Sequence, residues 1–217
     1  MKKILITILT LLAVASSAVA QNYEKAREER KQYFVCGPKA GISMPYQNVV
    51  TNTTDIKSLL WAPNVGIQLG GYLRGVLPIK RTPVVLYMQL DALWAMDIYA
   101  GSGQSAFSGV VNMPLLIGGG YKLSKTIPLR GGWGPSYTIN CVEKANTNFK
   151  GTDNGYQSEV ADLIRRDPWG WTGDIGADIK NWSVDLRMQN QFRSREYNRI
   201  ADETRFISYG ITVGYRF

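Results

Sequence analysis

The chain has 217 residues, 25 Lys and Arg against 17 Asp and Glu for a formal net charge of +8, two cysteines and no histidine. Without histidine there is no Ser-His-Asp or Cys-His relay, no imidazole zinc site and no general base of the commonest kind near neutral pH. Histidine-dependent lipid-modifying enzymes are therefore disfavoured, the length suits one domain, and Cys36 and Cys141 stand apart with no metal-ligand spacing.

In chain order, Lys2 and Lys3 precede an apolar run from Ile4 to Val14 and then Ala18, Val19 and Ala20. That pattern reads as a secretory signal peptide over residues 1–20. The apolar run is too short to span a bilayer as a helix, and no later segment is long and uniformly apolar, so no transmembrane helix is expected after cleavage. Export also argues against nucleic acid as a partner. The positive excess suits anionic lipid head groups, balancing of charge inside a barrel, or a solvated surface. Residues 21–32 are charged without an apolar stripe and read as a solvated periplasmic tail.

From Tyr33 the hydrophobic period becomes two and stays so. Eight strands are expected: Tyr33 to Met44, Asn64 to Val76, Val84 to Met96, Val110 to Leu123, Leu129 to Val142, Trp169 to Ile179, Trp182 to Phe192 and Phe206 to Phe217. The last shows the pattern well, with Ile207, Tyr209, Ile211, Val213, Tyr215 and Phe217 on one face and Ser208, Gly210, Thr212, Gly214 and Arg216 on the other. Pro114 and Pro135 interrupt the fourth and fifth strands, where proline removes a ladder hydrogen bond. The second-to-third, fourth-to-fifth and sixth-to-seventh connections are short (Leu77 to Pro83, Ser124 to Pro128, Lys180 to Asn181). The others are longer (Pro45 to Pro63, Asp97 to Gly109, Glu143 to Pro168, Arg193 to Arg205). Short turns alternating with long loops are the mark of a barrel inserted from one side.

The expected fold is all-β: an eight-stranded antiparallel transmembrane up-and-down β-barrel over residues 33–217, in a Gram-negative outer membrane with both termini periplasmic. Cys36 and Cys141 then fall near opposite edges as free thiols. Trp61, Trp94, Trp133, Trp169, Trp171 and Trp182 are expected in interfacial girdles near strand ends. Within the long fifth connection, Ser158 to Arg166 suits a short helix presenting Val160, Leu163 and Ile164.

A barrel this narrow is filled by its own side chains. The inward set is expected to hold Lys39, Arg74, Lys122, Arg130, Arg187 and Arg216 with Asp91, Asp174, Asp178 and Asp185. Such a set forms either an internal ion-pair network or, through its surplus of cations, a narrow ion path or anion site. The first is the expectation. Asp174 and Asp178 share a face but lie too far apart for a close acid–base dyad, and Asp185 approaches across the short turn. Neighbouring arginines account for them more simply than catalysis does. Gly118 to Gly120 and Gly131 to Gly134 lack the Lys-Ser/Thr pattern of a phosphate loop and read as bends or close-packing points. No catalytic, cofactor-binding or metal-ligating residue is assigned.

Gly37 to Gly41, Gly66 to Tyr72, Leu86 to Leu93, Met113 to Leu116, Gly134 with Pro135, and Gly214 to Phe217 occur in an order and spacing that resembles the PorT-like outer-membrane β-barrel family of Bacteroidota-type bacteria. Asp91 stands where that pattern has glutamate. The resemblance implies an outer-membrane barrel, lipid contact, recognition of the final aromatic residue by the barrel assembly machinery, and an association with protein secretion. The functional expectation is a non-enzymatic barrel without a cofactor, whose loops serve envelope structure or contact an extracellular or periplasmic partner or ligand. The alternative is a small transport or secretion accessory.

Overall fold

The computed structural model describes residues 34–50, 64–79, 82–101, 104–122, 128–146, 164–191, 195–197 and 201–217. The expected signal peptide, the charged tail, Trp61 and the first part of the expected helix, 158–163, lie outside these residues. The strands are β1 (Phe34–Val50), β2 (Val65–Pro78), β3 (Val84–Gly101), β4 (Gln104–Lys122), β5 (Pro128–Asn146), β6 (Trp169–Ile179), β7 (Trp182–Gln191), β8 (Arg195–Tyr197) and β9 (Ala201–Tyr215). Each pairs antiparallel with its neighbour in the order β1 to β7 and then β9, and β1 pairs back onto β9 from Lys39 opposite Gly214 to Val50 opposite Glu203. The sheet is thus a closed barrel of eight strands. β8 is a three-residue piece bonded only to β9.

Strand number and order match the expectation, whereas several strands run further than expected at the end away from Phe34. The stretch Asp97 to Gly109 is the main correction: it is not a long loop but the continuation of β3 and β4, paired as far as Gly101 opposite Gln104. Its alternation persists, with Ile98 facing out and Asp97 and Tyr99 facing in, but small and polar residues mask it. The strict alternation of short and long connections therefore fails at β3–β4.

Both prolines sit within the sheet, beside breaks in the ladder. The β3–β4 pairing passes from Leu90 opposite Leu115 to Leu93 opposite Asn112, skipping Pro114. The β4–β5 pairing passes from Pro114 opposite Ser136 to Ile117 opposite Trp133, skipping Pro135. Each break falls where an amide hydrogen is missing. Further along, Val110 opposes Asn140 while Gly109 opposes Val142, so Cys141 is the extra residue of a bulge. At the Phe34 end, Lys180 takes φ 55° in the tight β6–β7 turn. The Arg216 guanidinium donates to the Lys180 carbonyl at 2.5 Å, and its amide to Asn181 O at 2.7 Å.

The period-two pattern divides the molecule into two surfaces. Outward residues are large and apolar: Ile175 is 69% exposed, Trp133 62% and Leu186 58%. Inward positions carry Ser, Thr, Asn, Gln and charged side chains together with a few apolar ones. A closed wall that satisfies its own backbone and turns hydrocarbon outward and polar groups inward suits a bilayer, not water. No described helix is long and apolar enough to cross a membrane. Trp182 and Tyr215 meet edge to face at 5.1 Å, and Tyr215 meets Phe217 at 5.7 Å, forming an aromatic cluster at the Phe34 end. Tyr137 and Trp169 pair at 4.9 Å where β6 begins. Trp94 lies inside β3 and not near its end, because that strand continues to Gly101, beyond the expected limit, and Trp133 sits five residues into β5.

Candidate functional site

The lumen is built in layers, readable along β3. Its inward series runs from Tyr87, Gln89 and Asp91 through Leu93 and Ala95 to Asp97 and Tyr99. The first layer, toward the Phe34 end, is ionic. Lys39 on β1 lies 3.2 Å from Asp91 and 2.7 Å from Asp185. Arg187 on β7 pairs with Asp91 across the lumen. Arg74 on β2 reaches Asp178 on β6 at 2.9 Å and donates from Nε to Gln89 at 2.7 Å.

Arg130 joins the acidic residues that the sequence places near one another. Its Nε is 3.2 Å from Asp178, its Nη1 is 3.6 Å from Asp174, and its Nη2 pairs with Asp185. Tyr87 donates to Asp174 at 3.1 Å, and Gln89 donates to Asp91 at 2.8 Å. The Arg74 guanidinium also lies over the Tyr72 and Tyr87 rings, 5.2 and 5.8 Å from their centres. Two glycines make room for this. A Cβ on Gly132 would strike the Tyr87 hydroxyl, and one on Gly176 would strike Asp185 and crowd Arg130.

Of the six cations expected inside, Lys39, Arg74, Arg130 and Arg187 are there. Arg216 is not, because it caps the β6–β7 turn; the Lys122 side chain lies outside the described ones. The four cations face Asp91, Asp174, Asp178 and Asp185, so the described core of the network is charge-balanced. The expected cationic surplus is absent among these residues. Ion pairs with almost no water contact need charged partners, and each of these cations has at least one carboxylate, although Arg74 Nη2 and both Nε and Nη1 of Arg187 are buried without a hydrogen-bond partner among the described residues.

The second layer is apolar on one side. Leu93, Ala95 and Val110 face inward and are buried there, but the layer is apolar only on that side, since Asn112 opposite Leu93 is also buried and donates to Gln189 at 2.7 Å. The third lies at the end away from Phe34 and includes residues that the strand pattern does not assign. Ile164 is helical, as expected, whereas Arg165 to Asp167, between it and β6, are not, contrary to the expectation for Arg165 and Arg166. This segment turns Ile164 and Arg166 inward, where both are buried. Asn140 holds it by two hydrogen bonds, donating to Arg166 O at 2.8 Å and accepting from Arg166 N at 3.0 Å. The Arg166 guanidinium pairs with Asp97 and stacks over the Phe206 ring at 3.9 Å. Asp97, expected at the start of a loop, continues the inward series of Asp91, Leu93 and Ala95. Arg166 carries no local signal at all.

The two thiols are free and lie toward opposite ends. No group of three or more His, Cys, Asp or Glu suited to a metal ion occurs among the described residues. A depression of about 620 Å³ between Trp133, Trp171, Leu186, Met188 and Tyr209 opens on the apolar outer wall.

No protein-family model matches the chain, and no curated protein matches it. Among solved structures it is similar to Ail, the attachment invasion locus protein of Yersinia pestis, solved with the heparin analogue sucrose octasulfate (9% identity, 86% of this chain and 100% of that one, TM-score 0.39). It is also similar to the outer membrane protein OprG of Pseudomonas aeruginosa (14% identity, 85% and 95%, TM-score 0.44).

Proposed function

We propose that the protein is a non-enzymatic outer-membrane barrel whose lumen is closed, and that it acts through the connections at the end away from Phe34. The observation that carries this reading is the balanced ionic layer, whose pairs cross the lumen from β2 to β6 and from β7 to β3. A solute would have to separate Lys39, Arg130 and Arg187 from their carboxylates, and leaving a buried charge unpaired costs about 3–5 kcal/mol per pair. Asp174 and Asp178 are neutralised by Arg130 and Arg74, which argues against their serving as catalytic acids. The export signal expected over residues 1–20 and the apolar outer wall together support the outer membrane as the address, with both termini periplasmic.

The transport and secretion reading finds no cationic surplus among the described inward residues to rest on, and the PorT-like resemblance stands on the quoted motifs alone. Planar-bilayer recording of the refolded barrel tests closure. No unitary steps are expected, and steady open-channel conductance would overturn the proposal.

A further inference from the structure

The contacts around Arg166 have the composition of a binding site. On one side is the carboxylate of Asp97, itself buried and approached by the Ser43 hydroxyl at 3.4 Å. On the other is the face of Phe206, fully buried, with the guanidinium carbon 3.9 Å from the ring centre. Tyr99, two positions beyond Asp97 on the same strand face, is buried with no hydrogen-bond partner for its hydroxyl among the described residues. The Nε of Arg166 is likewise buried and unpartnered. A carboxylate at the edge of a planar cation and an aromatic ring over its face are what guanidinium recognition requires. An ammonium, compact and strongly hydrated, matches the arrangement less well.

The wall and its occupant have different origins. Asp97 and Phe206 belong to β3 and β9, paired strands of the barrel. Arg166 arrives on a short non-strand segment attached at this point through the Asn140 side chain. The cage is thus part of the scaffold, and the cation in it belongs to a strap.

We propose that the mouth of the barrel is a guanidinium-binding cage, filled in cis by Arg166, that accepts a small guanidino compound when the strap is displaced. This goes beyond the closed-barrel reading and does not depend on it, since the cage lies above the ionic layer. Ligand and strap compete for one place, so apparent affinity in the intact protein is the affinity of the open cage multiplied by the fraction of molecules whose strap is out.

The test uses the full-length barrel refolded in detergent, with ethylguanidinium and ethylammonium as probes. The Arg166→Ala barrel is expected to bind ethylguanidinium saturably in titration calorimetry, at least about tenfold more tightly than ethylammonium. The wild type should bind it more weakly, and an Arg166→Ala, Asp97→Asn double variant should not bind it. If Arg166→Ala does not close by itself, as judged by the mobility of unheated protein in gels, ethylguanidinium in the refolding buffer should restore closure and ethylammonium should not. A closed Arg166→Ala barrel that fails to bind, equal binding by the double variant, or an unclosed variant that the guanidinium probe does not rescue would each overturn the proposal.

Discussion

Arg130 is the residue on which the ionic layer turns, because one guanidinium serves Asp174, Asp178 and Asp185 on two adjacent strands. Its planar fork can address several carboxylates at once, which a single ammonium cannot reproduce. Arg130→Ala leaves these acids facing one another with less compensation. The expected loss is about 3–5 kcal/mol, read as a lower urea midpoint for the refolded barrel in micelles, and Arg130→Lys should recover only part of it. An unchanged midpoint in the alanine variant would show that the layer is not structural. The sequence made some of this visible. Asp174 and Asp178 recur on one strand face and Asp185 follows a tight turn, so their proximity was readable. That a single arginine from β5 reaches all three depends on the missing Cβ atoms of Gly132 and Gly176, and only the folded geometry reveals it.

Among the strands, β9 has the most to hold, being bonded to β1, β7 and β8. Its ladder continues past Tyr215, with the Phe217 amide donating to Cys36 O at 3.2 Å and the Phe217 ring against Tyr215. Deleting Phe217 removes the hydrogen bond and the ring contact where the barrel seam closes. The yield of protein in the outer-membrane fraction should fall, and an unchanged yield would contradict a role for this residue in assembly. Strand identity was legible throughout because alternation at period two is strong wherever large apolar residues face out, as at Leu86, Met88, Leu90 and Trp94. Strand ends were not, because Ser105, Ala106, Ser108 and Gly109 carry little amphipathic contrast. The mouth was hidden for a different reason. Arg166 meets Asp97 on β3 and Phe206 on β9, partners far from it in the chain, and no local pattern encodes such a meeting.

At the scale of the whole molecule, the layered lumen gives the two ends different characters. If the end away from Phe34 faces outward, protease added to intact cells should cut the β5–β6 connection between Asn146 and Pro168. Arg165 and Arg166 should resist longer than the residues preceding them, since Asn140 and Asp97 hold the strap. Complete protection of that connection on intact cells, with cleavage after lysis, would reverse the orientation. The ionic layer has one more consequence, for the order of events in folding. Arg74 finds Asp178 and Arg187 finds Asp91 only across the lumen, from β2 to β6 and from β7 to β3. A partly assembled, still open sheet would hold these charges apart, with an edge exposed to the bilayer. Arg130 can meet its three acids within β5, β6 and β7 alone, but the cross-lumen pairs form only as the β1–β9 seam closes, so the last charges of the interior are neutralised together with the sealing of the wall.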